Sequence, residues 1–254
     1  MQMANAASSD RADIVLVCHG ESESDVEGRT PGAYDSPLTA AGVAQAEAVA
    51  FRLHHAGGKK IAACYASTHT ERTAQIIKAE NGWPFPITFE VGLAEQITVD
   101  ECEKWHAEEC CAQESGEEDY KPPGGGESHR QVQERAVHAL EAIARRHPGE
   151  RVLVVAHRVV LAAALHGILA PAPNRTPKGS LVVSSASLNM LRWYGGQWEV
   201  RLWGDSSEFA VGVPEGCWVV DVSAALRLLS TGAVAGALVT ASLFGLLSFA
   251  RRQR

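Results

Sequence analysis

Among the side chains of types that bind anions or move protons, four stand out by position: His19, Arg72, Glu95 and His157. Both histidines stand at the end of an apolar run. Ile14-Val-Leu-Val17 leads through Cys18 into His19-Gly20, and Val152-Leu-Val-Val155 leads through Ala156 into His157. Short apolar runs that carry β-branched residues without alternation mark strands buried on both faces of a parallel sheet. A titratable ring at the carboxyl end of such a strand lies where open α/β sheets place ligands. Glycine after the ring lets the backbone turn tightly. Arg72 offers a planar fork that suits an anion, and Glu95 a carboxyl that can give and take a proton. Taken singly, each has a plainer reading, as a strand-end polar residue or an exposed helix charge. The chemistry requires that they converge.

The elements that would bring them together can be read in order. Residues 1–12 are small and polar and read as a disordered leader. The first strand follows, then a loop over Glu21–Asp35 rich in charge, glycine and proline. Val43, Ala46, Ala50 and Leu53 form one stripe of a helix that begins near Thr39 and stops at Gly57-Gly58. Ile61–Ser67 reads as a second strand, Thr70–Glu80 as a helix and Ile87–Val91 as a third strand. Residues of about 96–121 are strongly acidic and read as a solvated insertion or lid. After the Pro122–Gly126 break, Ser128–His147 predicts a long helix with Val132, Ala136, Leu140 and Ile143 inward. Arg151–Ala156 is the fourth strand, followed by a helix to Leu169. Ser187–Trp193 and Gln197–Trp203 alternate around Gly195-Gly196, a hairpin signal. The expected fold is α/β, a three-layer, mostly parallel sheet covered by helices on both faces, with an antiparallel addition.

The 254 residues are 46% hydrophobic and 21% charged, an ordinary globular balance. The formal charge is −7, and without the arginines at 251, 252 and 254 residues 1–250 carry −10. A body that acidic excludes general nucleic-acid binding. Six cysteines, at 18, 64, 102, 110, 111 and 217, form no C-x-x-C pair, and residues 1–13 contain no apolar secretory core. The thiols read as reduced and facing the cytosol. Cys102, His106 and Cys110 share a helical spacing, yet no fourth ligand accompanies them and no metal site is expected.

After a linker over 211–228, Leu229–Ala250 runs without a charge and is followed by the basic residues of 251–254. About 20 apolar residues span a bilayer core. The run is read as a transmembrane tail anchor that leaves the domain of 13–210 in the cytosol. The mitochondrial outer membrane, the endoplasmic reticulum and peroxisomes all fit. Gly232-x3-Gly236 would allow two tails to pair, consistent with a homodimer.

The motifs, in their order, resemble the histidine phosphatase superfamily, the phosphoglycerate-mutase-like proteins. The resemblance rests on Cys18-His19-Gly20-Glu21, Ser67–Gln75, Leu93-x-Glu95, Gly126-Glu127-Ser128 and Val154-Val155-Ala156-His157, with Pro37-Leu38-Thr39…Gly42…Gln45-Ala46 as a further match. It implies phosphoryl transfer through a phosphohistidine, with neither metal nor cofactor. His19 would be the nucleophile, with room beside it at Gly20 for phosphate and for backbone donors. Arg72 would bind the phosphoryl oxygens and His157 would donate to the developing charge. Glu95 would protonate the leaving oxygen and then activate water.

Two departures stand out. The family carries an arginine where this chain has Cys18, and one lost bidentate contact costs roughly 2–4 kcal/mol of transition-state stabilisation, or ~10²–10³ in rate. Arg158, directly after His157, and Arg29 are the candidate substitutes. The family's asparagine after the first motif is also absent, with Ser24 near its place. The first expectation is a membrane-tethered phosphatase acting on a phosphorylated small molecule or a phosphoprotein. The second is an impaired pseudophosphatase that serves as a membrane-tethered binding module, and the third a phosphoglycerate-type mutase.

Overall fold

The computed structural model describes residues 11–28, 36–55, 60–96, 121, 126–169 and 183–206. The elements in chain order are β1 (Ala12–Cys18), α1 (Glu23–Glu27), α2 (Ala40–His55), β2 (Ile61–Ala66), α3 (Glu71–Glu80), β3 (Ile87–Phe89), α4 (His129–Arg146), β4 (Arg151–Ala156), α5 (Arg158–Leu169), β5 (Leu188–Tyr194) and β6 (Gln197–Asp205). The six strands form one sheet in the order β3-β2-β4-β1-β5-β6. β3, β2, β4 and β1 are parallel, and β5 and β6 add antiparallel at the β1 edge. The α/β architecture expected from the strand–helix repetition is the one observed.

Period-two alternation makes β1 and β4 the middle of a sandwich. Ala12, Ile14, Leu16 and Cys18 of β1, with Val152, Val154 and Ala156 of β4, face a cluster built on Val132, Ala136, Leu140 and Ile143 of α4 and Val160 and Leu161 of α5. Val15, Val17, Leu153 and Val155 point the other way, against Val49 and Ala50 of α2 and Ala74 and Ile77 of α3. Strands buried on both faces carry no polar alternation, which is why these two read as continuous apolar runs. Gly195 and Gly196, with φ of 57° and 80°, supply the left-handed turn that joins β5 to β6.

Some boundaries differ from the sequence reading. Ala12 is not part of a disordered leader: it is fully buried, pairs with Trp193 and opens β1. The loop after β1 contains a helical turn, α1, fixed by a reciprocal cap between Ser22 and Asp25. Residues 68–70 form a 3-10 turn before α3, and Val91–Leu93 form another after β3. The acidic stretch, Arg29, the linker and the charge-free run at 229–250 lie outside the described residues. Among the described residues, no helix is long and apolar enough to cross a membrane.

Candidate active site

β1 and β4 are neighbours in register, Cys18 opposite Ala156, so the residues that follow them emerge side by side. The His19 N–H donates to the Ala156 carbonyl over 3.0 Å. The two rings meet edge to face with centroids 5.3 Å apart. His19 is 9% exposed and His157 2%.

The tautomer of His19 follows from its partner. Its Nδ1 lies 2.8 Å from the Gly20 carbonyl oxygen, which can only accept, so Nδ1 carries the proton. Nε2 is left with a free lone pair, the state a nucleophilic imidazole needs. Gly20 is also constrained by packing. A Cβ there would overlap the backbone carbonyl of Gly42, and its N–H donates to Thr73 Oγ1 over 3.1 Å. Glycine is required here by close backbone packing between the β1 exit and α2.

His157 Nε2 lies 3.0 Å from Ser67 Oγ at the end of β2. Burial above all, with the electrostatic influence of the neighbouring His19, His69 and Arg135, pushes the His157 ring down to about 3, so it is neutral at physiological pH. Its Nδ1 lies 3.3 Å from Glu95 Oε2 without hydrogen-bond alignment. A neutral ring makes this a polar contact rather than an ion pair.

Glu95 is held by a clasp. Leu93, 1% exposed, plugs the 3-10 turn into the core. Arg135 of α4 then donates to the carbonyls of Gly92, Ala94 and Glu95 over 3.1, 2.7 and 3.1 Å. The same guanidinium forks onto both carboxylate oxygens of Glu127 at 2.8 Å. Gln96 closes the loop with a 2.9 Å hydrogen bond to the Glu127 carbonyl. The Gly126-Glu127-Ser128 motif therefore has two structural tasks: Glu127 orients Arg135, and Ser128 caps α4 reciprocally with Gln131. Burial raises the Glu95 carboxyl to about 7, against the lowering effects of the Gln96 N–H, Arg135 and Arg158. A carboxyl tuned near neutrality can act as acid and base in one cycle.

The cations divide. Arg158 opens α5 at the mouth of the site, its side chain 51% exposed, 3.3 Å from Ser185 Oγ and 3.9 Å from Asp25 Oδ1. Its charge acts on both Glu95 and Cys18. Arg72, on the first turn of α3, is exposed, and its charge is not among those shifting His157, Glu95 or Cys18. Cys18 is fully buried, and desolvation pushes its thiol up to about 12, so it is neither nucleophile nor thiolate. Ser24 is turned inward, 3.0 Å from Ser22 Oγ. Asp25 of that turn reaches toward the nucleophile, its Oδ2 3.9 Å from His19 Nδ1.

Sequence reasoning missed His69, Arg135, Asp25, Ser67 and Thr73. All five had a signal: Ser67, His69 and Thr73 lie within the Ser67–Gln75 motif, Ser22-x-x-Asp25 and Ser128-x-x-Gln131 are cap signatures, and Arg135 follows the second by one helical turn. Among the described residues, no group of three or more histidines, cysteines or carboxylates is arranged to hold a metal ion.

Comparison with known proteins supports the family and the fold. The family model described as histidine phosphatase superfamily (branch 1) matches residues 14–206. Phosphoglycerate mutase-like protein 4 of Arabidopsis thaliana is 33% identical over 207 residues, covering 78% of this chain and 87% of its own length. The metal-independent phosphoserine phosphatase of the same plant is 34% identical over 212 residues, 80% of this chain and 85% of that one. Among solved structures, Bacillus stearothermophilus YhfR superposes with a TM-score of 0.65 at 29% identity, over 77% of this chain and 98% of its own. The family model spans most of the chain, and the chain belongs to branch 1 of the histidine phosphatase superfamily.

Proposed function

We propose that the chain is a phosphoesterase acting through a phosphohistidine on His19, on a phosphorylated small molecule or a phosphoprotein. The observation that carries this is the 2.8 Å contact of Nδ1 with the Gly20 carbonyl, which leaves Nε2 unprotonated beside His157. In the first step Nε2 forms a bond to phosphorus as the ester P–O bond breaks. The protonated Glu95 carboxyl gives its proton to the leaving oxygen. In the second step the Glu95 carboxylate takes a proton from water as the water oxygen attacks phosphorus. The P–N bond breaks, phosphate leaves, and His19 and Glu95 regain their starting states. Neutral His157, oriented by Ser67, supplies a hydrogen bond to the phosphoryl oxygens without carrying a charge of its own. Arg158, at the mouth, and Arg72, on the first turn of α3, are the cations proposed to bind the phosphoryl oxygens.

One observation favours a slower enzyme or a binding module as the second reading. Cys18 brings no charge to a site that holds two carboxylates, Glu95 and Asp25, with Arg158 half-exposed. The charge-free run at 229–250 supports membrane tethering of the domain. Retention of the full chain on carbonate-washed membranes, lost when 229–250 is deleted, would test that part. For catalysis the test is p-nitrophenyl phosphate hydrolysis by the chain, His19→Ala and Cys18→Arg. Turnover that His19→Ala abolishes supports the enzyme. A silent parent with turnover gained in Cys18→Arg supports the binding module, and silence in both removes the enzyme reading.

A further inference from the structure

A carboxylate stands beside the nucleophile. Asp25 Oδ2 lies 3.9 Å from His19 Nδ1, and its Oδ1 lies 3.9 Å from the Arg158 guanidinium. The side chain is 21% exposed, so it borders the mouth rather than open solvent. Its orientation is fixed, because Ser22 donates its N–H and its hydroxyl to Oδ2 over 2.8 and 2.7 Å. The same charge raises both Glu95 and Cys18, so its field extends through the site.

A fixed anion in that place opposes a phosphate dianion and offsets part of the charge of Arg158. The cap of α1 does not require the charge, since an amide oxygen would accept from Ser22 equally well. What the charge adds is discrimination: it repels an ester that is only anionic and attracts one that brings its own cation. We propose that Asp25 is a specificity-determining residue that reads an ammonium group on the substrate. The site then takes phosphomonoesters with an amine close to phosphorus, the class that includes phosphorylated amino acids. This rests on the phosphatase reading above and narrows its substrate.

The test uses the full chain with phosphoethanolamine and ethyl phosphate, which share the ester and differ in the ammonium group. The parent should prefer phosphoethanolamine in kcat/KM by roughly tenfold, the size expected for one half-buried charge pair. Asp25→Asn should bring the ratio close to one, gaining on ethyl phosphate and losing on phosphoethanolamine. A purely structural role would move both esters together and leave their ratio unchanged. An unchanged ratio in Asp25→Asn, or a parent without the preference, overturns the proposal. If the parent hydrolyses neither ester, the phosphatase reading fails instead. Calorimetric binding of the two esters, which needs no turnover, then decides the role of Asp25: tighter binding of phosphoethanolamine supports it and equal affinity overturns it.

Discussion

Replacing Arg135 with methionine should uncouple proton delivery from the rest of the site. The guanidinium donates five hydrogen bonds, two to Glu127 and three to the carbonyls of Gly92, Ala94 and Glu95. Its side chain is 22% exposed and that of Glu127 20%, so water reaches the clasp only in part. Methionine keeps much of the stem and deletes every one of those bonds. The Glu127 carboxylate then loses the fork that engages both of its oxygens. Loss of a fully buried pair costs about 3–5 kcal/mol, so the partial exposure here sets the expectation at about 3 kcal/mol. For a domain of this size that lowers Tm by roughly 6–12 °C. The kinetic consequence depends on the leaving group. p-Nitrophenolate departs without a proton, so its ester should slow by less than ~10-fold; an alkyl phosphate needs the Glu95 proton and should slow by ~10². Arg135 also lowers the Glu95 carboxyl, so its removal should move the alkaline limb of the pH profile upward. Thermal unfolding and kcat/KM for the two esters measure all of this. Equal slowing of both esters with an unmoved alkaline limb would refute the clasp as the device that positions Glu95.

Three further outcomes are expected. Burial raises Glu95 from 4.5 to about 7, so its favourable linkage is full below about 4.5 and is lost as pH rises through 7. Alkyl-ester hydrolysis should therefore fall above about 7, and Glu95→Gln should lower turnover by ~10²–10⁴ while stabilising the fold by on the order of 1–3 kcal/mol at pH 8 and not at pH 4. Gly42→Ala places a Cβ against the Glu21 carbonyl oxygen, and urea unfolding should show a loss of about 1–3 kcal/mol or more. Ser67→Ala leaves the buried His157 Nε2 without its 3.0 Å partner; kcat should drop about tenfold with stability reduced by ~1–3 kcal/mol, read from kinetics and unfolding together.

The strands that carry the histidines were legible because both are buried on two faces and so read as unbroken apolar runs. Their adjacency was not, since sequence separation says nothing of sheet order; β4 sits between β1 and β2 only once the crossovers are built. The boundaries moved where local hydrogen bonds compete with regular pattern. The Ser22–Asp25 cap turns an acidic loop into α1, and Thr70 Oγ1, bonded to the Val155 carbonyl at 2.9 Å, staples a 3-10 turn ahead of α3. That turn is what sets His69 within Coulombic reach of His157 and leaves Arg72 exposed. Glu95 was found by its motif, whereas Arg135 looked like one more charge on an amphipathic helix. Its role comes from carbonyls 40 to 43 residues earlier in the chain, a long-range contact that carries no periodic signal.

The most direct measurement is rapid-quench trapping with a radiolabelled phosphoester and mapping of the labelled peptide. Acid-labile, base-stable label is expected on His19 alone, absent from His19→Ala and accumulating in Glu95→Gln as hydrolysis of the adduct slows. Label on any other residue, or turnover persisting in His19→Ala, would contradict the assignment of His19 as the nucleophile.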